Sequence, residues 1–215
     1  MTERVVVIGA SGFGREALDV LEAMQGGGDD LTIIGVVDDG PSDLNLARLA
    51  DRGVAYLGTL DAWLARADRD TCYVLGIGSP GVRRRLVARL DAVGLESFTT
   101  VHPSATFGAR CQLGDGVVVC AGATISTNVR LGAHVHINPN ATIGHDAALG
   151  AYVSVNPGAI ISGEVVIGDE TLVGAGAIVL QNLTVGQRVV LGAGTVVTKD
   201  VPDGAVVTGL PGRWV

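Results

Sequence analysis

Ile137-Asn138-Pro139-Asn140-Ala141-Thr142-Ile143-Gly144-His145-Asp146-Ala147-Ala148-Leu149 repeats with a period of six. An aliphatic residue opens each unit, Ile137, Ile143 and Leu149, and a small residue follows four later, Ala141 and Ala147. Stepping back by six reaches Leu131, Ile125, Val119, Leu113, Phe107 and Val101. Stepping forward reaches Val155, Ile161, Ile167, Val173, Val179, Val185, Leu191 and Val197. The series is unbroken, and Phe107 alone in it is not aliphatic. The position four later is nearly always small or β-branched, from Ala105 to Thr195. A short strand ended by a tight corner places both positions inside, with Gly or Asn near the corner to take the backbone angles it needs. Such a unit cannot bury its apolar face alone, so successive units must stack.

Composition agrees with narrow, repetitive packing. The chain of 215 residues holds 32 glycines, and aromatic residues make up 4% of it. Its formal net charge of -7 argues against a nucleic acid or an anionic membrane surface as partner. No apolar run approaches membrane-spanning length. The opening Met1-Thr2-Glu3-Arg4-Val5-Val6-Val7-Ile8 lacks the layout of a signal peptide, so a cytoplasmic location is expected. Cys72, Cys111 and Cys120 form no metal-binding spacing and read as small buried hydrophobes.

The six-residue period is missing before Val101. Residues 1–99 read as a small Rossmann-like βαβ domain and 100–215 as the repeat domain with a short tail. Val5 to Ile8 suits a buried parallel strand. Gly9-Ala10-Ser11-Gly12-Phe13-Gly14 then leads into a helix carrying Ala17, Leu18, Val20, Leu21 and Met24 at helical spacing. Gly9, Ser11, Gly12 and Gly14 can bring backbone N–H groups to a phosphate at that helix N-terminus. A second strand, 32–37, ends in Asp38-Asp39, carboxylates suited to a ribose or base contact. A helix over 60–67, a strand over 72–77, a second close-approach loop at Gly78 and a helix from Pro80 to Val93 complete the domain. A nicotinamide dinucleotide lacks a second half-site here, and a nucleotide-sugar fits better.

A βαβ domain running directly into Val101-His102-Pro103-Ser104-Ala105 and uninterrupted hexads resembles, over the whole chain, the PglD/NeuD/PerB-type sugar acyltransferases of the hexapeptide-repeat family. Gly192-Ala193-Gly194-Thr195-Val196-Val197-Thr198-Lys199-Asp200-Val201-Pro202 and Gly209-Leu210-Pro211-Gly212-Arg213 carry the resemblance at the C-terminus. It implies a left-handed parallel β-helix in which three hexads make one coil and residues 18 apart stack, giving roughly five coils over 101–197. It also implies a homotrimer with sites between subunits, and acetyl-CoA as cosubstrate. It puts the catalytic base at His145, its acidic neighbour at Asp146 and an active-site amide at Asn138. Ser154 stands where at least one relative carries a second histidine for acetyl-CoA. Gly163 stacks on His145 and leaves room for a ligand. Gly163, Gly174 and Ala175 are candidates for the thioester end of CoA, with Gly192 and Lys199 further along and Arg188 and Arg213 as other cations. His102, His134 and His136 read as solvated or interface residues, with His102 placed to pack at the domain junction.

Members commonly acetylate the 4-amino group of a nucleotide-linked 4-amino-4,6-dideoxy sugar, and others O-acetylate sugars such as sialic acids. The same histidine serves an amine or a hydroxyl, so the residues leave the two open, along with the choice among UDP, GDP and dTDP. Direct transfer in a ternary complex is expected, since no cysteine is placed to carry an acyl group and no metal is required. A scaffold solenoid without chemistry is the reading from another class. It leaves the His145-Asp146 pair and the glycine loop without a purpose.

Overall fold

The computed structural model describes residues 2–67 and 70–214. Three parallel strands form the N-terminal sheet in the order β2 (Leu31–Val37), β1 (Glu3–Ile8), β3 (Thr71–Leu75). Val5 to Ile8 are buried because helices cover both faces of this central strand. One cover is α1 (Gly12–Gly27), whose Ala17, Leu18 and Leu21 point into the core. The other is α4 (Pro80–Asp91), which starts with proline where a missing N–H costs nothing and buries Val87 and Leu90.

Between them lie α2 (Asp43–Asp51) and the short α3 (Leu60–Leu64). The helix expected over 60–67 ends at Leu64, and residues 65–66 form a turn. The helix α2 was not anticipated. It buries only Leu49, too little to print an apolar stripe on the sequence, although Ser42 caps it through the Asn45 N–H.

From Thr100 the chain winds into a parallel β-solenoid. Seventeen two-residue strands run from β4 (Thr100–Val101) to β20 (Val196–Val197). They stack into three faces. The first holds β4, β7 (Val118–Val119), β10 (His136–Ile137), β13 (Ser154–Val155), β16 (Leu172–Val173) and β19 (Val190–Leu191). It is extended by β21 (Val206–Thr208), with β22 (Arg213–Trp214) antiparallel to it. The second face holds β11 (Thr142–Ile143) among six strands, and the third holds β12 (Ala148–Leu149) among five. Register is 18 residues from β4 to β20, as in Thr142 against Thr124 and Ile160, and shortens to 16 where β21 joins β19. Seventeen strands at three to a coil make nearly six coils where roughly five were expected, and β21 and β22 extend them.

Both restricted positions of the hexad are inside: Ile137, Ile143 and Leu149, and with them Ala141, Ala147 and Val153, are at most 3% exposed. Each large aliphatic contributes about 1.5–3 kcal/mol by leaving water. Three residues after the aliphatic, every corner from the one after Phe107 to the one after Leu191 takes a left-handed backbone. Gly122, Gly158, Gly176 and Gly194 supply it at one corner, Asn128, Asp146, Glu164 and Asn182 at another, and His134, Tyr152, Glu170 and Arg188 at the third. For residues other than glycine that conformation costs about 1–2 kcal/mol, offset by the rungs on either side.

The N-terminal unit lies on the lower part of the first solenoid face. Val118 and Cys120 share a core with α1, and Thr100, His136 and Ser154 are buried along the same column. Higher up, Val190 and Val206 stand exposed. Of the two alternatives for His134 and His136, this contact removes the solvated one and buries both against the N-terminal unit of the same chain. His136 is fully buried and stacks on Phe13 at a 4.4 Å centroid separation, and His134 stacks on Tyr152 at 5.2 Å. Burial lowers the pKa of both imidazoles, His136 most strongly. Of the cysteines, Cys120 is buried, its thiol pushed up to about 12 by desolvation, whereas Cys72 and Cys111 are only half-buried.

Candidate active site

His145 follows β11 at the corner between the second and third faces. Its backbone carbonyl accepts from the Glu164 N–H of the next coil, and the Asp146 N–H donates to the Thr127 carbonyl of the coil before. The left-handed backbone at Asp146 turns its carboxylate back toward the imidazole. The His145 side chain is 58% exposed, and its Nδ1 lies 2.7 Å from Asp146 Oδ2. The other carboxylate oxygen accepts from Asn128 Nδ2 at 2.8 Å. The Asn128 amide, then His145, holds Asp146 below the usual carboxylate range. An ionised carboxylate can only accept, so Nδ1 carries the proton and Nε2 presents its lone pair.

Gly163 is placed directly above the ring. A Cβ there would stand 2.5 Å from His145 Nε2 and 2.6 Å from Cε1. Only glycine lets the imidazole lie flat over the corner. Glu164 completes the surroundings: its carboxylate, that of Asp146 and a His145 ring nitrogen lie within 4.8 Å of one another, all exposed.

The residues expected to hold cosubstrate divide between two corners. Lys199, 54 residues beyond His145, follows β20, with its Nζ 4.5 Å over the Trp214 ring. Asn138, Gly174, Ala175 and Gly192 lie instead at the corner between the first and second faces, across β11 from His145. Asn138 is buried and donates to the Val155 carbonyl. A Cβ on Gly174 would meet backbone of the next coil at 2.6 Å, so this glycine serves the stacking of coils; Ala175 beside it is exposed.

Ser154 does not face a cosubstrate groove. It is 1% exposed, accepts from Arg83 and donates to the Gly78 carbonyl, because the N-terminal unit covers this rung. A shallow groove of about 480 Å³ along the third face, lined by Gln112, Arg130, Ala148, Val166 and Asp169, holds no candidate base.

In the N-terminal unit, Gly9, Val37, Asp38, Asp39, Leu60 and Ile77 line a cavity of about 160 Å³ closed by Val82 and Leu86 of α4. Asp38 accepts from the Ala10 and Gly40 N–H groups, and Asp39 Oδ1 accepts from the Leu60 N–H. Both carboxylates thus shape the cavity while lining it. Ser11 makes no side-chain cap and the first turn of α1 holds no acid, which leaves the N–H groups at Ser11 and Gly12 open to an anion. Gly14 is required for packing: a Cβ there would stand 1.9 Å from the Gly9 carbonyl oxygen.

Two participants escaped sequence reading. Asn128 orients Asp146 and is found by stepping 18 residues back. Arg83 is fully buried where α4 meets the solenoid, and burial draws its pKa down to about 9.

A solenoid of six-residue repeats carrying an exposed His-Asp pair, joined to a small α/β unit with a glycine loop, defines an acyltransferase of the hexapeptide kind. The family model for the PglD N-terminal domain matches residues 4–90, and that for the six-repeat bacterial transferase hexapeptide matches 164–199. No curated protein matches the chain in sequence. Among solved structures, the acetyltransferase domain of PglB from Neisseria gonorrhoeae FA1090 is 30% identical over 100% of both chains, with a TM-score of 0.85. PerB from Caulobacter crescentus, solved with CoA and GDP-perosamine, is 29% identical over 100% of this chain and 98% of its own, with a TM-score of 0.87. WeeI from Acinetobacter baumannii AYE is 28% identical over 100% of both, again at 0.87. The chain belongs to the PglD/NeuD/PerB-type hexapeptide-repeat sugar acetyltransferases.

Proposed function

We propose that this enzyme transfers the acetyl group of acetyl-CoA to the 4-amino group of a nucleotide-linked 4-amino-4,6-dideoxy sugar. The observation that carries the reading is the oriented His145–Asp146 pair, held in one chain with a cavity and open helix N-terminus suited to a nucleoside diphosphate. The similarity to PerB, whose structure contains CoA and GDP-perosamine, supports the choice of donor and acceptor.

The amine nitrogen attacks the thioester carbonyl carbon. His145 Nε2 takes the proton that the nitrogen loses, and Asp146 stabilises the resulting imidazolium. A backbone N–H from a glycine-rich corner, with Gly163 and Gly174 as candidates, donates to the tetrahedral oxyanion. Collapse breaks the carbon–sulfur bond, and the leaving CoA thiolate takes the proton held on His145 Nε2, which restores the neutral imidazole. No metal and no acyl-enzyme take part. Gly9, Ser11, Gly12 and Gly14 hold the diphosphate, Asp38 and Asp39 face the nucleoside, and Lys199 meets the distal part of CoA.

His145 and Asn138 stand at two different corners of one solenoid. A homotrimer with parallel axes brings one subunit's first corner beside the second corner of its neighbour and completes the site. Among the described residues no helix is long and apolar enough to cross a membrane, and the cytoplasm holds both acetyl-CoA and nucleotide-sugars.

The test is release of CoA thiol with UDP-, GDP- and dTDP-linked 4-amino-4,6-dideoxy sugars, in the wild type and His145→Ala. Turnover with one amino sugar that the variant loses supports the reading. Turnover with hydroxyl acceptors alone moves the assignment to O-acetylation.

A further inference from the structure

Arg83 Nη1 donates to the Ile77 carbonyl at 3.1 Å, the Gly78 carbonyl at 2.9 Å and Ser154 Oγ at 2.9 Å. Its Nη2 donates to the carbonyls of Tyr152 and Val153. The side chain is 0% exposed, and no carboxylate among the described residues pairs with it. A buried guanidinium without a counter-ion is an expensive way to join two units, and apolar packing does that more cheaply. What a guanidinium adds is direction. Its planar fork fixes the groups on either side of it in angle as well as distance.

Those groups belong to the two halves of the reaction. On one side, Ile77 lines the nucleotide cavity, and Val82 and Leu86 of the same helix as Arg83 close it. On the other, Tyr152 to Ser154 run into β13, nine residues beyond His145 in the same coil. A neighbouring ion pair, Arg84 to Glu170 at 3.2 Å, ties the same helix to the coil above. The glycine loop is attached to the adjacent rung, where Phe13 stacks on His136. The N-terminal unit is therefore fastened to three consecutive rungs, and Arg83 is the directional fastening.

We propose that Arg83 is a positioning residue for acetyl transfer: by locking the Ile77–Gly78 rim of the nucleotide cavity to the Tyr152–Ser154 backbone, it fixes where a nucleotide-linked acceptor stands relative to the solenoid base. The inference rests on the function proposed above. It concerns orientation, so it acts on kcat for acceptors held through their nucleotide and leaves other acceptors alone.

The experiment compares full-length wild type, Arg83→Lys and Ser154→Ala at saturating acetyl-CoA. One acceptor is the nucleotide-linked amino sugar that the wild type uses, and the other is the same amino sugar without its nucleotide. Melting temperature is followed alongside. Lys keeps the charge but cannot reproduce the fork, and a displacement near 1 Å predicts a kcat loss on the order of 100-fold with the nucleotide-linked sugar. KM for that sugar and the rate with the free sugar should stay within about threefold of wild type, a small shift on the scale of that loss. Ser154→Ala, which removes one acceptor and leaves the fold intact, gives the same pattern at roughly 10-fold. Equal losses with both acceptors, a rise in KM alone, or no change overturns the inference. A wild type that acetylates only free sugars overturns the functional reading as well. An active wild type with indifferent variants overturns this inference alone.

Discussion

Gly163→Ala separates catalysis from stability more cleanly than removal of the base does. A Cβ at this position would lie 2.5 Å from His145 Nε2, 2.6 Å from Cε1 and 3.0 Å from Cδ2. Ordinary contact begins near 3.5 Å, so the imidazole must rise by about 1 Å. The backbone has no objection, because Gly163 is not among the left-handed positions. The obstructing atoms are the tip of an exposed side chain, so the ring swings away at little cost to the fold. Replacing glycine with alanine where its conformation is allowed adds about 0.4–1 kcal/mol through the unfolded chain. The melting temperature should therefore hold or rise slightly. Catalysis should suffer, since the swing draws Nδ1 off Asp146 and carries Nε2 out of reach of the attacking amine. A misplacement of this size predicts a kcat loss on the order of 100-fold. Thiol release under saturating substrates, paired with a thermal melt, measures both. Unchanged kcat, or a loss that comes with a fallen melting temperature, refutes the placement of the base over Gly163.

His145→Ala should lower kcat by about 10²–10⁴-fold while acetyl-CoA affinity, measured by calorimetry, stays the same. Gly14→Ala drives a Cβ into the Gly9 carbonyl, and loss of nucleoside diphosphate binding in a titration should accompany a solenoid that still melts cooperatively. Ile161→Ala empties a fully buried position and should cost about 2–5 kcal/mol in urea unfolding. Burial lowers the pKa of His136 and His134. The unfolded chain therefore takes up protons first, and stability present above the ordinary imidazole range is lost as pH falls below it, by up to about 1.4 kcal/mol per pH unit for each histidine. Urea unfolding at several pH values checks this, and His136→Phe, which keeps a ring against Phe13, should flatten the slope.

The solenoid was legible because its demand is local and repeated: every sixth position must be a large aliphatic, and Val119 or Ile161 says so without reference to the rest of the chain. The corner residues were harder to read. A left-handed backbone shows itself at Gly158 or Asn182, but not at Tyr152 or Glu164, where the neighbouring rungs hold an unfavoured residue in place. The core of the site was within reach through residue spacing and family likeness, which put His145, Asp146 and Gly163 together.

What the sequence could not show is which solenoid face the N-terminal unit covers. That choice turns His136 from a surface imidazole into a buried one and Ser154 from a cosubstrate contact into an interior hydroxyl. It also turns Arg83, the first of three consecutive arginines on what looks like a solvated helix, into a buried cation. None of these follows from periodicity, since the hexad constrains the inside of the coil and is silent about the outside.

The 18-residue register held from β4 to β20 makes that part of the solenoid a measuring rod. Each coil advances the axis by the spacing of neighbouring strands, so His145 and Lys199, three coils apart on one edge, are separated by about 14 Å along it. The gap between the proton acceptor and the cation over Trp214 is thus counted in whole rungs. One inserted coil would stretch it by about 4.8 Å and leave every corner unchanged, so distance along this edge can change only in discrete steps, independently of the geometry at His145.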